Sequence, residues 1–291
     1  MEPLHQLDLS TWQGPFPDAA TAHAAAALEA GQVLFAPDLH FELCESERRF
    51  LSPTCLDGKS KNVSFRPATG ALGGSNCEGQ DRAELLRLLR RYYSHARALV
   101  TSICPAYRDV LADGFTSFRP AEISGRASSW RKDDTRLHVD AFPSRPVHGN
   151  RILRVFTNVN PVAPRMWRVG DAFEQVAARF LPAIPPPRAG SSWWLHTLRI
   201  TKTRRTPYDH FMLGIHDRMK ADEQYQRESP QTPLAIAPGV TWACYTDQVS
   251  HAAMAGQFAF EQTFYLPVSA MQTPELSPLR VLERLRGEAL L

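Results

Sequence analysis

Within the stretch DDTRLHVDAF, residues 133 to 142, His138 and Asp140 are separated by a single valine. Imidazole and carboxylate are both metal ligands. On an extended chain residues two apart project to one face, so the pair can hold an ion while Val139 packs behind it. The spacing alone carries little weight. With 10 histidines in the chain, roughly one His-x-Asp/Glu pair arises by accident at ordinary residue frequencies. The chain has two, and the other, His40 with Glu42, lies near no further ligands in a fitting pattern.

A facial-triad Fe(II) site needs two histidines and one carboxylate, leaving three coordination positions open. His251, in CYTDQVSHAAMAGQFAFEQTFYLP, is the candidate for the second imidazole because it falls between two strand-like runs. His196, His210 and His216 are rivals, but they lie in a stretch of helical character with no strand partner. The metal set read from the sequence is therefore His138, Asp140 and His251, which also form the catalytic set.

Strands must position these residues. GFTSFRPAEIS, TRLHVDAF and RILRVFTNVN follow one another closely, and PLAIAPGVTWACYTD and GQFAFEQTFYLP form a later group. The spacing of Leu85, Leu88, Leu89, Tyr92, Ala96, Leu99 and Ile103 predicts a long helix covering one sheet face. The fold expected is mainly β with flanking helices (α+β), a double-sheet, cupin-like jelly roll with a helical insertion. One domain spans 1–291: N-terminal helical and loop support over 1–110, jelly-roll strands over 111–164 and 230–270, the insertion over 165–229, and a C-terminal helix over 271–291. Residues 51–80, rich in Gly, Ser, Pro and Asn, read as an ordered surface loop or a flexible flap.

Composition narrows the classes. A net charge of +3 gives no electrostatic footprint for nucleic acid. Five cysteines without CxxC spacing argue against a disulfide framework or a structural zinc site. No run is long and apolar enough for a spanning helix, and MEPLHQLDLS lacks the features of a signal peptide. The expected location is cytoplasmic, with surface attachment to a membrane left open.

SSWRKDDTRLHVDAFPSRPVHGNRILRVFTNVNP together with SHAAMAGQFAFEQTFYLPVSAM resembles the Kdo hydroxylases of Gram-negative bacteria, and TKTRRTPYDHFMLGIHDRMK extends the resemblance. These belong to the Fe(II)/2-oxoglutarate-dependent dioxygenases, whose core is a double-stranded β-helix. The resemblance implies Fe(II) as cofactor, with 2-oxoglutarate and O2 as cosubstrates. It implies hydroxylation of 3-deoxy-D-manno-octulosonic acid (Kdo) at its 3-position, giving Ko, with Kdo-lipid A or a lipopolysaccharide precursor as the partner and the inner membrane as the surface for any peripheral contact. A 2-oxoglutarate-dependent hydroxylase of another small or lipid-linked acid is the nearest alternative. A cupin-like metal hydrolase and a sugar-binding module stand further off.

2-Oxoglutarate needs a cation for its far carboxylate. Many members of the superfamily carry an arginine ten to fifteen residues beyond the distal histidine, but here no Lys or Arg lies between His251 and Arg280. Other members use the strand after the HxD pair, which here carries Arg151 and Arg154 on opposite faces. Arg154 is the first choice and Arg151 the second. Gln262, on the apolar face of its strand, could bond a bound keto acid, although a backbone partner serves equally well. An acidic sugar further calls for cations at the mouth. Arg126, Arg131, Lys132 and Arg136 precede the pair, and Lys202, Arg204 and Arg205 lie in the insertion. The same cations could rest on anionic head groups. Trp193 and Trp194 could join such a contact, but core packing is the role expected of adjacent indoles.

Overall fold

The computed structural model describes residues 2–21, 23–125 and 128–291. Its strands are β1 (Leu4–Gln6), β2 (Val33–Ala36), β3 (Val63–Arg66), β4 (Ala71–Gly73), β5 (Ala112–Arg119), β6 (Arg151–Asn158), β7 (Arg165–Val169), β8 (Thr232–Ile236), β9 (Thr241–Tyr245), β10 (His251–Ala255) and β11 (Ala259–Leu266). Eight form one sheet in the order β1-β2-β9-β6-β11-β5-β3-β4, and three form another in the order β10-β7-β8. β1 and β2 pair in parallel, and β11 runs antiparallel to both of its neighbours. Two sheets joined by long connections make the jelly roll expected from the sequence.

Several boundaries differ from expectation. The 1–110 segment contributes β1 to β4 to the large sheet, so it is more than a support layer. The 51–80 connector contains the β3–β4 hairpin at the sheet edge. The 165–229 insertion opens with β7, the central strand of the small sheet. Arg165 masked that strand: Arg165, Trp167 and Val169 all point inward, and a cation at an inward position broke the apolar alternation. TRLHVDAF, expected as a strand, makes only an isolated bridge at His138. All five cysteines are free, and among the described residues no helix is long and apolar enough to cross a membrane.

The long helix Gly79–Ile103 buries the stripe that its period predicts. Its Tyr92 ring stacks on Phe260 of β11 at 4.9 Å, and the Tyr92 hydroxyl donates to the Val155 carbonyl of β6. Alternation then sends Phe260, Gln262 and Phe264 towards this helix, and Glu261, Thr263 and Tyr265 to the opposite face of β11. A smaller core fills the space between the sheets. There Phe156 of β6 and Trp242 of β9 stack at 5.0 Å, and Trp167 of β7 meets both rings edge-on.

The helix Pro207–Ala221 starts at a capping box. The Thr206 hydroxyl accepts from the Asp209 amide and Asp209 accepts from the Thr206 amide, with Pro207 at the first helical position. Asp209 also accepts from the amides of Val147 and His148, which ties the helix to the chain leading into β6.

Arg151 is fully buried. Its guanidinium donates to Asp247 at 2.8 Å and to Gln248 at 2.6 Å, and lies 3.8 Å over the Tyr245 ring. Removing one partner of such a pair strands the other charge, so Arg151→Ala should lower unfolding free energy by about 3–5 kcal/mol. Urea denaturation measures this, and a loss under about 1 kcal/mol contradicts the structural role.

Candidate metal centre

His138 and His251 are joined through their backbones. The His138 amide donates to the His251 carbonyl at 3.0 Å, and the His251 amide donates back to the His138 carbonyl at 2.9 Å. Two residues beyond, the Asp140 amide donates to the Thr246 carbonyl at 2.7 Å. Leu137 and Val139 are fully buried, which fixes the alternate residues' direction. Gln226 takes the place of a neighbouring strand: its amide oxygen accepts from the Leu137 amide and its amide nitrogen donates to the Leu137 carbonyl. The HxD segment is thus held extended without a full ladder.

The side chains follow from this frame. One ligand atom from each of His138, Asp140 and His251 lies within 4.8 Å of the others, and all three residues are buried. His138 Nδ1 donates to the Arg136 carbonyl at 2.7 Å, and His251 Nδ1 donates to the Val249 carbonyl at 2.8 Å. Each Nε2 is left as the basic nitrogen, and His138 Nε2 lies 3.8 Å from Asp140 Oδ1. The rings form a row, with Trp167 stacked on His251 at 5.1 Å, His251 against His138 at 4.7 Å, and His216 edge-on to His138 at 5.5 Å.

Electrostatics favour the ligating forms. Burial pushes the His138 imidazole well below its ordinary range, assisted by His251, and burial likewise lowers His251. Burial alone would raise the Asp140 carboxyl, but Arg154 and the two imidazoles override it and hold it below the usual carboxylate range. Two neutral imidazoles and one carboxylate are the forms a divalent cation requires. The donor set therefore fits Fe(II), Co(II) or Zn(II) without rearrangement of protons.

A cleft of about 520 Å³ opens over this centre. Arg154 of β6 reaches Asp140 at 3.0 Å and Glu261 of β11 at 3.1 Å, and Arg119 of β5 grips the same Glu261 at 2.7 Å. Glu261 occupies the zone beyond the distal histidine where other superfamily members carry a cation, and the flanking strands supply two guanidiniums instead. Arg165, buried, also lines the cleft; Nη1 donates to the Gly256 carbonyl and Nε has no hydrogen-bond partner among the described residues. Burial and the nearby Arg119 bring Arg165 down to about 10. Lys61, from the β3 approach, and Lys220, from the 207–221 helix, complete the cationic lining together with Arg131 and Lys132. Three carboxylates, Asp134, Asp140 and Glu261, oppose these seven cations.

Several residues expected at the site lie elsewhere. Arg151 shares its face with Leu153 and Val155, away from the cleft, and is saturated by Asp247 and Gln248. Gln262 sits on the helix-covered face, accepting from the Thr116 hydroxyl and donating to the Thr263 carbonyl. Arg136 pairs with Glu223 at 2.7 Å and serves the centre through its carbonyl. Lys202, Arg204 and Arg205 do not line the cleft; Arg205 donates to the Pro143 carbonyl and the Lys202 amide to the Ser144 carbonyl, at the rim. Arg126 falls outside the described residues. Trp193 and Trp194 are exposed, not core residues. His40 and Glu42 form an exposed pair at 3.7 Å.

Sequence reasoning missed Arg119, Arg165, Lys61 and Lys220, and weighed His216 only as a rival metal ligand. His216 and Lys220, four residues apart, share the inner face of a helix whose start is marked by TPYD. That spacing was available as a signal. Arg119 shares a strand face with Phe115 and Ser117, which line the adjoining cavity.

Two imidazoles and one carboxylate on a jelly-roll frame, facing an open cationic cleft, are the donor set of the non-haem Fe(II) oxygenase class. The family model for 3-deoxy-D-manno-oct-2-ulosonic acid (Kdo) hydroxylase matches residues 11–289. The chain belongs to this Kdo hydroxylase family, a family of Fe(II)/2-oxoglutarate-dependent dioxygenases. It is similar to the crystal structure of the Kdo hydroxylase KdoO in complex with α-ketoglutarate and Fe(III), with 45% identity, TM-score 0.96, and coverage of 100% of this chain and 98% of that one. The cobalt(II) complex of KdoO matches at 46% identity and TM-score 0.97, covering 99% and 97%. The succinate and Fe(III) complex matches at 45% and 0.96, also covering 99% and 97%. No curated protein sequence matches the chain significantly.

Because both imidazoles titrate below the ordinary 6.5, protons compete with a metal only at pH values lower than that. Co(II) binding followed by visible absorption should persist as pH falls through 6.5 and be lost only beneath it. A midpoint at or above 6.5 contradicts the buried neutral pair.

Proposed function

We propose that the chain hydroxylates the 3-position of Kdo carried on lipid A, giving Ko, with Fe(II) held by His138, Asp140 and His251. The supporting observation is the convergence of these three ligands at the floor of a cleft whose walls carry an excess of cations. Fe(II) bound there supplies oxidative chemistry that converts 2-oxoglutarate and O2 to succinate and CO2 while one oxygen enters the sugar's C–H bond.

The protein's own contribution is binding and orientation. Arg154, beside Asp140 and in contact with Glu261, is assigned to the far carboxylate of 2-oxoglutarate, and Arg119 reinforces it across Glu261. Arg131, Lys132 and Lys220, on the wall formed by the chain before the HxD pair and by the insertion, are assigned to the sugar's acidic groups. Trp167 and His216 brace the ligand imidazoles from either side and limit their rotation. Phe142 and Phe156 contribute apolar wall that restricts water.

A lipid-linked acceptor suits the shape of the cleft. It runs into a second cavity of about 370 Å³ that shares Phe142, Pro143, Arg154 and Glu261 with it, so a substrate longer than one sugar can lie along both. Such an acceptor implies peripheral contact with the inner membrane.

Incubating purified protein with Fe(II), 2-oxoglutarate, ascorbate and Kdo-lipid A should yield succinate and a product heavier by one oxygen. His138→Ala should yield neither while remaining folded. Turnover that Kdo-lipid A does not stimulate would point to a hydroxylase of another acid, and product formation by the variant would remove the metal assignment. Arg154→Gln should raise KM for 2-oxoglutarate by roughly tenfold or more, as expected for a lost charge-assisted bond. An unchanged KM would reassign the anchor.

A further inference from the structure

Four of the nine large apolar side chains exposed among the described residues fall within eight positions: Trp193, Trp194, Leu198 and Ile200. The other five are scattered along the chain and need no special account. The helix Ser191–Thr197 that carries the indoles buries none of its side chains. Trp193 and Trp194 are 44% and 59% exposed, and their rings touch each other edge-on at 4.7 Å. Leu198 and Ile200 are exposed to a similar degree, at 64% and 52%.

Along this segment the charge has one sign. From residue 175 to residue 208 the sequence contains no Asp or Glu, while Arg188, Arg199, Lys202 and Arg204 are exposed around the apolar group. Trp and aliphatic side chains flanked by Lys and Arg match a bilayer interface, where the indoles sit at head-group depth and the cations meet phosphate. A protein groove would supply acids at fixed positions, whereas a lipid surface needs only this one-sided distribution.

Position gives the patch a purpose. The segment is laced to the cleft rim, with the Lys202 amide donating to the Ser144 carbonyl and Arg205 donating to the Pro143 carbonyl. Pro143 borders both cavities of the proposed acceptor path.

We propose that the tip formed by Trp193, Trp194, Leu198 and Ile200, with its basic collar, docks the enzyme on an anionic phospholipid surface and sets the cleft mouth against the lipid. The delivery role rests on the lipid-linked acceptor proposed above; the docking itself does not.

Sedimentation with phosphatidylcholine vesicles, with and without an equimolar share of phosphatidylglycerol, tests the docking without any turnover. The wild-type protein should bind the anionic vesicles, release them at raised salt, and show a blue-shifted tryptophan emission when bound. Trp193→Ala/Trp194→Ala should weaken the partition by roughly tenfold or more while retaining Co(II) binding and activity on deacylated Kdo oligosaccharide. Leu198→Ser/Ile200→Ser should do the same from the other edge of the patch. Wild-type protein remaining in the supernatant, or variants that bind equally well, would overturn the proposal. So would a dimer on gel filtration that the tryptophan variant dissolves, since a second copy would then cover the patch. Failure of hydroxylation with vesicle binding intact would count against the acceptor reading alone.

Discussion

The site depends on one backbone pairing, the reciprocal amide-to-carbonyl exchange between His138 and His251. Two residues 113 positions apart in the chain are thereby placed opposite each other, and each imidazole is locked by a backbone carbonyl on its Nδ1. Such bonds fix the tautomer and the ring plane before any ion arrives. The rest of the fold serves that pairing. Gln226 clamps the early segment, β7 holds β10 in place, and Trp167 continues the inter-sheet aromatic core up to the face of His251.

Charge is arranged around the pairing with equal care. Buried ions are costly unless they are paired, and Asp140, Arg154, Glu261 and Arg119 form a chain of alternating sign that sets each charge against an opposite one, while Asp140 Oδ2 and Arg154 Nε make no hydrogen bond among the described residues. Arg165 stands apart, buried without a carboxylate in ion-pair range among the described residues, and its lowered basicity reports that cost. A dianionic cosubstrate or an acidic sugar entering the cleft would relieve it. The structure thus carries an electrostatic cost that binding can offset, which favours anionic ligands over neutral ones.

Much of this was legible in the sequence. The HxD spacing and the strand-flanked late histidine pointed to the three side chains that lie together, and the two-residue period correctly separated Arg151 from Arg154. Which of those faces looks into the cleft was not legible, because it depends on where the 79–103 helix covers the sheet. Gln262 illustrates this: its apolar face was read correctly, but that face belongs to the helix side. β7 escaped because an inward arginine breaks the hydrophobic alternation that signals a strand. Trp193 and Trp194 were assigned to the core on side-chain type alone, whereas a two-turn helix on a surface excursion gives them nothing to pack beneath. Lys61 came from a loop whose fold no local pattern specified.

The most direct measurement is anomalous diffraction at the cobalt edge from crystals of the Co(II)-loaded protein. The account predicts a single strong peak at about 2.0–2.2 Å from His138 Nε2, His251 Nε2 and one Asp140 oxygen, distances usual for such donors. A peak elsewhere, or coordination through Nδ1 with the backbone bonds broken, would contradict it.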